Sequence, residues 1–372
     1  MKLTVQQAIL SAAAQRVQGV VDKKNTIPVL SNILIETAAA TQTIRLTGTN
    51  LETGLSVTIP AISCEDGAVT LPAQKLTEIV KELPDAPIEL TIDEKAWATL
   101  ECRKSTFHLA GLPSADFPNL PTFTDATPIR LSCAVLRKLI ANTSFAVSHD
   151  GSRYSLTGML LSWQGGVLYG VATDGHRLAV SETPCADAGG DRDVILPLKA
   201  IVEAKKFCEA DPDGTIDLLI SENQAALRRA GDVLATRLID AQFPDWRQVI
   251  PTESALTVTL DRLEFVTALR RVATLTSDTR LVKLTLEAND TLTLAAQNPQ
   301  IGEAQDSFAM RVDGDAARLP LTIGFNAKYL LDWTATTDAD AMTLSVSDPL
   351  SPGLWRSAGD ESARCVIMPM RI

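Results

Sequence analysis

The chain has 372 residues and a mass of 39.9 kDa, two or three times the length of a usual single domain. With 45% hydrophobic and 21% charged residues it fills ordinary cores and is no disordered polymer, and with only 5% aromatics those cores are mainly aliphatic. The net charge of −11, taken alone, argues against nucleic acid as a partner, because neutralising phosphates needs lysine and arginine.

Residues 2–5 alternate as a short strand, and 6–18 carry apolar residues at helical spacing. This strand-then-helix phrase returns five times: GAVTLPAQKLTEIVKELPD (67–85), PIRLSCAVLRKLIAN (128–142), RDVILPLKAIVEAKKFCEAD (192–211), ALTVTLDRLEFVTALRRV (255–272) and LPLTIGFNAKYLLDWTATTD (319–338). Alternating runs bounded by turn residues follow each helix, as at 43–50, 86–93, 214–221, 291–298 and 341–348, and predict strands. The unit is therefore strand, helix, then several strands, about 60 residues long and present six times. Two units make a domain, giving three tandem domains at 1–124, 128–251 and 254–372. A unit this short buries too little surface to stand alone, so its helix is expected to pack on the sheet of its twin. The boundaries fall at PTFTDATP (121–128) and PTES (251–254), and two domains end alike, in GLPSADFPNLP (111–121) and RLIDAQFPDWRQVIP (237–251).

Catalytic signatures are missing: the chain has no GxSxG, GxGxxG, phosphate-binding loop or HExxH. Cys64, Cys102, Cys133, Cys185, Cys208 and Cys365 form no CxxC pair, and His108, His149 and His176 have no metal-ligand spacing. The expectation is buried thiols in a reducing compartment, with no zinc, disulfide framework or other cofactor. No apolar run approaches 18 residues, and a polar pair interrupts the N-terminal segment, so a cytoplasmic protein without a membrane partner is expected. The one cluster inviting a catalytic reading is Thr173-Asp174-Gly175-His176-Arg177, with Ser144, Ser148 or Ser181 elsewhere. An Asp-Gly pair between LYGVA and LAVSE is a hairpin signal, and the turn reads as a structural turn or as a binding surface rather than as a catalytic site.

Charge is unevenly placed. The six helical windows, 6–18, 73–82, 133–142, 199–209, 261–271 and 326–333, hold twelve bases against seven acids, net +5, which leaves −16 for the rest. Glutamate is as good a helix former as lysine, so propensity does not explain the bias. Helices lining one surface would make it cationic, suited to a polyanion held without base reading. The C-terminus, Val366-Ile367-Met368-Pro369-Met370-Arg371-Ile372, is apolar where chain ends are usually polar. It reads as a last strand or as one wall of a hydrophobic groove.

Six segments carry a family resemblance: TIPVLSNILI (26–35), LPSADFPNLP (112–121), RYSLTGMLL (153–161), VATDGHRLAV (171–180), QFPDWRQVIP (242–251) and VIMPMRI (366–372). Over its whole length the chain resembles the bacterial DNA polymerase III beta subunits, the sliding clamps. The resemblance implies an α+β fold of three tandem clamp domains, each a twofold strand-helix-strands repeat. It further implies a head-to-tail homodimeric ring, helices lining the hole and sheets outside, that encircles double-stranded DNA without sequence preference. Such a ring is not an enzyme; it tethers the replicative polymerase, the clamp loader and repair factors through short linear peptides. Carried over residue by residue, the peptide pocket is Leu156, Thr173, Gly175, His176, Arg177 and Leu178, then Pro244 and Val249, then Val366, Met368, Pro369, Met370 and Arg371. His176 becomes a packing and hydrogen-bonding residue. DNA-facing positions are Lys24, Tyr154 and Lys199. At the joint, Lys104, Phe107 and Leu109 of one subunit face Leu275, with Glu303 and Asp306 offering acids. Asp150, Ser155 and Gln248 depart from the family pattern, Gln248 where a basic residue is common.

Overall fold

The computed structural model describes residues 1–22, 26–123, 126–185 and 190–372. Among these are six α-helices: α1 (Gln7–Gln18), α2 (Ala73–Glu82), α3 (Cys133–Thr143), α4 (Leu198–Glu209), α5 (Arg262–Ala273) and α6 (Ala327–Thr334). The chain divides into two compact units, one of Met1–Leu136 with Lys199–Leu238, the other of Arg137–Leu198 with Ile239–Ile372. The middle repeat pair thus contributes to both units.

The first unit has two antiparallel sheets. A five-stranded sheet runs in the order Ser63–Cys64, Lys2–Gln6, Pro87–Ile92, Trp97–Cys102, Ser105–Ala110. An eight-stranded sheet runs Gly67–Pro72, Asn32–Ala38, Thr43–Thr49, Thr53–Pro60, Asp232–Arg237, Gln224–Arg229, Thr215–Ile220, Ile129–Ser132. The second unit repeats the scheme. Its nine-stranded sheet runs Arg192–Pro197, Gly158–Gln164, Val167–Thr173, Arg177–Pro184, Asp360–Ile367, Gly353–Ser357, Ala341–Val346, Leu256–Asp261, Arg311–Gly314. Its four-stranded sheet runs Gly302–Ala309, Thr291–Asn298, Leu281–Leu286, Leu321–Asn326. Each large sheet is continuous through one central pairing, Thr53–Pro60 with Asp232–Arg237 and Arg177–Pro184 with Asp360–Ile367.

The expected packing of a helix on its twin's sheet holds in part: α2 meets Asn32–Ala38 of the first repeat, whereas α1 and α5 lie mainly over strands of their own. What crosses to the twin is the leading strand: Lys2–Gln6 pairs with Pro87–Ile92 of the second repeat, and Gly67–Pro72 with Asn32–Ala38 of the first. Each helix follows an exchanged strand, so α1 returns over its own repeat's Thr43–Thr49 and Thr53–Pro60, beside α2. In the same way α5 lies over Thr291–Asn298 and Gly302–Ala309, beside α6. Strand exchange gives each half a hydrogen-bonded edge in the other, which neither supplies alone.

The scarce aromatics gather in the second unit. Phe265, Phe325, Trp333 and Trp355 are all fully buried, with Phe265 and Phe325 centroids 5.5 and 6.1 Å from that of Trp355. Elsewhere the cores are mainly aliphatic, with single aromatics such as Phe117, Phe123 and Phe207. Two helix starts are set locally: Asp261 Oδ1 accepts from Glu264 N at α5, and Asn326 Oδ1 from Lys328 N at α6.

Candidate functional site

Three segments of the second unit converge on an apolar cavity of about 150 Å3: the turn after Val167–Thr173, the linker at 244–249, and the end of the last strand. The turn is an Asx structure. Asp174 Oδ1 accepts from the backbone N–H of His176 and Arg177 (2.9 and 3.0 Å), and Thr173 Oγ1 accepts from Gly175 N and donates to Arg177 O. Gly175 has φ +86°, where a side chain is strained. The linker forms a single 3-10 turn, Trp246–Val249, capped by Asp245, whose Oδ1 accepts from Arg247 N. The chain end is stitched on by Met368 N donating to His176 O (2.9 Å). Behind the cavity, Leu160, Val171, Leu178, Val180, Trp246 and Val366 form one buried cluster.

Leu156, Thr173, Gly175, His176, Arg177, Leu178, Pro244, Val249, Val366 and Met368 all line this cavity, joined by Asp245 and Trp246, which the sequence reading did not single out. The signal for those two lies in the shared Phe-Pro-Asn/Asp linker. Pro369, Met370 and Arg371 lie outside the lining: Met370 N donates to Gly324 O (2.8 Å), turning the last residues onto the Leu321–Asn326 strand. His176 is exposed; its backbone N–H donates to Asp174 Oδ1 and its carbonyl accepts from Met368 N, which leaves the imidazole at the cavity rim.

Arg177 is a buried brace, 7% exposed. Its Nε donates to Asp174 (3.0 Å), Nη1 to Asp332 (2.7 Å) and Nη2 to the Phe145 carbonyl, while the guanidinium lies 4.3 Å over the Tyr329 ring. The turn is thereby tied to α6. Burial first, and then the Asp174 charge, push the Tyr329 hydroxyl above its ordinary value. On the outer side Arg153 Nη1 donates to Asp174 O (3.0 Å). A shallower depression of about 410 Å3 shares Leu156, Pro244 and Asp245 with the cavity and adds Arg153, Ser155 and Phe243. Gln248 donates to Asp245 Oδ2 (2.8 Å), and the linker's cation is Arg247, stacked 4.1 Å over Trp246. Asp150 accepts from Ser152, which lowers its carboxyl below the ordinary range.

The other positions are distributed as follows. Lys24 lies outside the described residues, as does Thr124 at the first domain boundary. Tyr154 is 58% exposed, and Lys199 is paired with Asp22 at 2.5 Å. Lys104 precedes, and Phe107 and Leu109 lie on, Ser105–Ala110, the edge of the five-stranded sheet. Leu275 follows α5; Glu303 and Asp306 lie on the edge strand Gly302–Ala309, where Asp306 is already taken by Arg271 (2.7 Å). The helical charge excess is also partly compensated: Arg16, Lys138, Lys199 and Arg271 pair with Asp232, Asp360, Asp22 and Asp306, all outside the helical windows. The more exposed of these pairs are worth about 0–1 kcal/mol. Among the described residues, no helix is long and apolar enough to cross a membrane, and no cluster of acids, histidines and cysteines is arranged to hold a metal.

Known proteins share this arrangement from end to end. Residues 1–121, 130–245 and 247–371 match the models of the N-terminal, central and C-terminal domains of the DNA polymerase III beta subunit. The beta sliding clamp of Caulobacter vibrioides is 36% identical over 380 residues and that of Pseudomonas putida 35% over 376, each pair covering both chains fully. Among solved structures, a Pseudomonas aeruginosa sliding clamp bound to griselimycin aligns over both whole chains with a TM-score of 0.94 at 33% identity. The C. crescentus clamp, with polyethylene glycol at its beta-motif tethering region, aligns as completely with 0.91 at 35%. The chain belongs to the DNA polymerase III beta subunit family, the bacterial beta sliding clamps.

Proposed function

We propose that this chain is the subunit of a DNA processivity ring: a head-to-tail homodimer that encircles double-stranded DNA in the cytoplasm and tethers polymerase, loader and repair factors. It performs no chemistry and needs no cofactor. The observation that carries this reading is the apolar cavity built by the Thr173–Arg177 turn, the 244–249 linker and Val366–Met368, in a chain matching the clamp family over its whole length. A leucine-sized side chain of a partner peptide buried there gains about 2 kcal/mol. The exposed edges at Ser105–Ala110 and Gly302–Ala309 are the strands that meet across the subunit joint, with Lys104, Phe107 and Leu109 on one side and Leu275 and Glu303 on the other. Tyr154 and Lys199 are the described positions that meet DNA, and Lys24 joins them by the family resemblance alone. A topological link needs no tight grip, so mildly basic helices suffice, and tethering works by raising the local concentration of polymerase.

Deleting residues 368–372 tests the pocket. Peptide binding is expected to vanish while light scattering still gives twice 39.9 kDa; a monomeric truncation would mean that the segment holds the dimer instead. Loaded protein is expected to stay on nicked circular DNA at high salt and to run off linear DNA. Retention that collapses with salt on closed circles would mean contact binding rather than encirclement.

A further inference from the structure

We propose that the first unit carries a second ligand site, a polar cavity that takes a short linear peptide inserting an uncharged amide or hydroxyl side chain. The cavity, of about 220 Å3, is lined by the Thr49–Gly54 turn, the 118–121 linker, Gln224 and the end of the Asp232–Arg237 strand.

Its frame repeats that of the apolar cavity bond for bond. Thr49 Oγ1 accepts from Leu51 N (3.0 Å) and donates to Thr53 O (3.1 Å), as Thr173 Oγ1 does with Gly175 N (3.1 Å) and Arg177 O (2.6 Å). Asn50 Oδ1 accepts from the backbone of Glu52 and Thr53, in the manner of Asp174. Leu51 takes the left-handed conformation of Gly175, with φ +75° against +86°. Arg237 N donates to Glu52 O (2.8 Å), the counterpart of Met368 N to His176 O (2.9 Å). Pro118-Asn119 stands where Pro244-Asp245 stands.

On this common backbone the side chains have changed character. Arg237 holds the position of Met368, and the cross-strand pair Gly54 with Ala235 replaces Leu178 with Val366. Leu120 leans on Gly54 so closely that an added Cβ would lie 2.2 Å from its Cδ2. A non-glycine residue, Leu51, is kept in a left-handed turn that strains its side chain. The polar lining decides the ligand. Thr236 gives its proton to Arg237 O, so Thr53 donates to Thr236 (3.1 Å), and the Thr53 oxygen, buried under the cavity lining, keeps a lone pair without a described donor. The Gln224 amide and the Arg237 guanidinium have no side-chain partner among the described residues, and Glu52 is the one acid on the same lining. A side chain that both donates and accepts without net charge satisfies these groups; an aliphatic one leaves them unpaired. That the carrier is a peptide rests on the reading of the apolar cavity proposed above.

The test uses the full chain and two capped pentapeptides, Ala-Ala-Gln-Ala-Ala and Ala-Ala-Leu-Ala-Ala, at millimolar concentration, read by amide hydrogen exchange. The glutamine peptide is expected to protect 49–54 and 235–237, and the leucine peptide 173–178 and 366–368. Arg237→Ala and Thr53→Val are each expected to weaken the glutamine peptide about fivefold, the worth of one hydrogen bond, and to leave the leucine peptide unchanged. Arg237 is exposed, so its variant carries the test if Thr53→Val does not fold. Protection at 173–178 by leucine with none at 49–54 by glutamine overturns the inference and leaves the proposed function standing, as does protection indifferent to Arg237→Ala. Glutamine protection at 49–54 without any leucine binding upholds the second site and sinks the first reading; if neither peptide binds, both fall.

Discussion

Replacing Arg177 with methionine keeps most of the side-chain volume and removes the charge that braces the 173–177 turn. The guanidinium is 7% exposed and serves two carboxylates and a carbonyl. Breaking a buried pair by removing one partner costs about 3–5 kcal/mol, because the survivor stays buried and uncompensated. Here the lower end applies. Asp332 keeps Lys328 at 2.5 Å, and Asp174 keeps two backbone N–H donors. A loss of about 3 kcal/mol corresponds to a fall in melting temperature of about 6–12 °C for a unit of this size. Thermal unfolding followed by the near-ultraviolet signal of Trp333 and Trp355 measures it, and hydrogen exchange at His176 and Arg177 should rise at the same time. A shift under about 1 kcal/mol with unchanged exchange would refute the reasoning, since it would mean that the turn holds its shape without the ion network.

Three further outcomes are expected. Gly324→Ala places a Cβ 2.7 Å from Met370 O and 2.8 Å from Leu281 Cδ1, so it should lift the C-terminal segment and weaken peptide binding several-fold; unchanged affinity would show that Pro369–Ile372 do not position Met368. The Ser362 hydroxyl, followed by Lys138, holds the Asp360 carboxyl below its ordinary 3.8. A depressed carboxylate stabilises above its unfolded value and loses that contribution as the pH falls through the folded one. Ser362→Ala should therefore lower stability at neutral pH by no more than about 1 kcal/mol, discounted because the carboxylate is 38% exposed, and the gap should close below pH 3.8 in acid-dependent melts. All six cysteines are buried, and full burial drives the Cys365 thiol far up, so a thiol reagent should label none in the native protein and six after unfolding. Rapid native labelling would contradict the packing.

The repeat was legible because it is written in local chemistry. Each strand-helix phrase carries its own periodicity, so all six helices begin and end within about two residues of their sequence windows. The Asp174-Gly175 turn was likewise readable from two residues that need a special backbone. Trp246 was not, because in sequence it is one more apolar residue in the linker, two places after Pro244; only the 3-10 turn at 246–249 faces it into the cavity.

The polarity of the helices was visible as a surplus of charge, but its cancellation was not. Arg16 with Asp232 and Lys199 with Asp22 are pairs more than 170 positions apart in the chain. Periodicity likewise could not show that leading strands exchange between twins, since both pairings satisfy the same alternation; the exchange brings Leu3 opposite Leu90 and Ile33 opposite Leu71. By itself the sequence determined the repeat, the elements and the turn chemistry, which depend on neighbours within a few residues. Tertiary structure alone decided which strands pair, which charges are neutralised, and that one hydrogen-bonded frame holds an apolar cavity at Met368 and a polar one at Arg237, because those outcomes depend on side chains meeting across long stretches of chain.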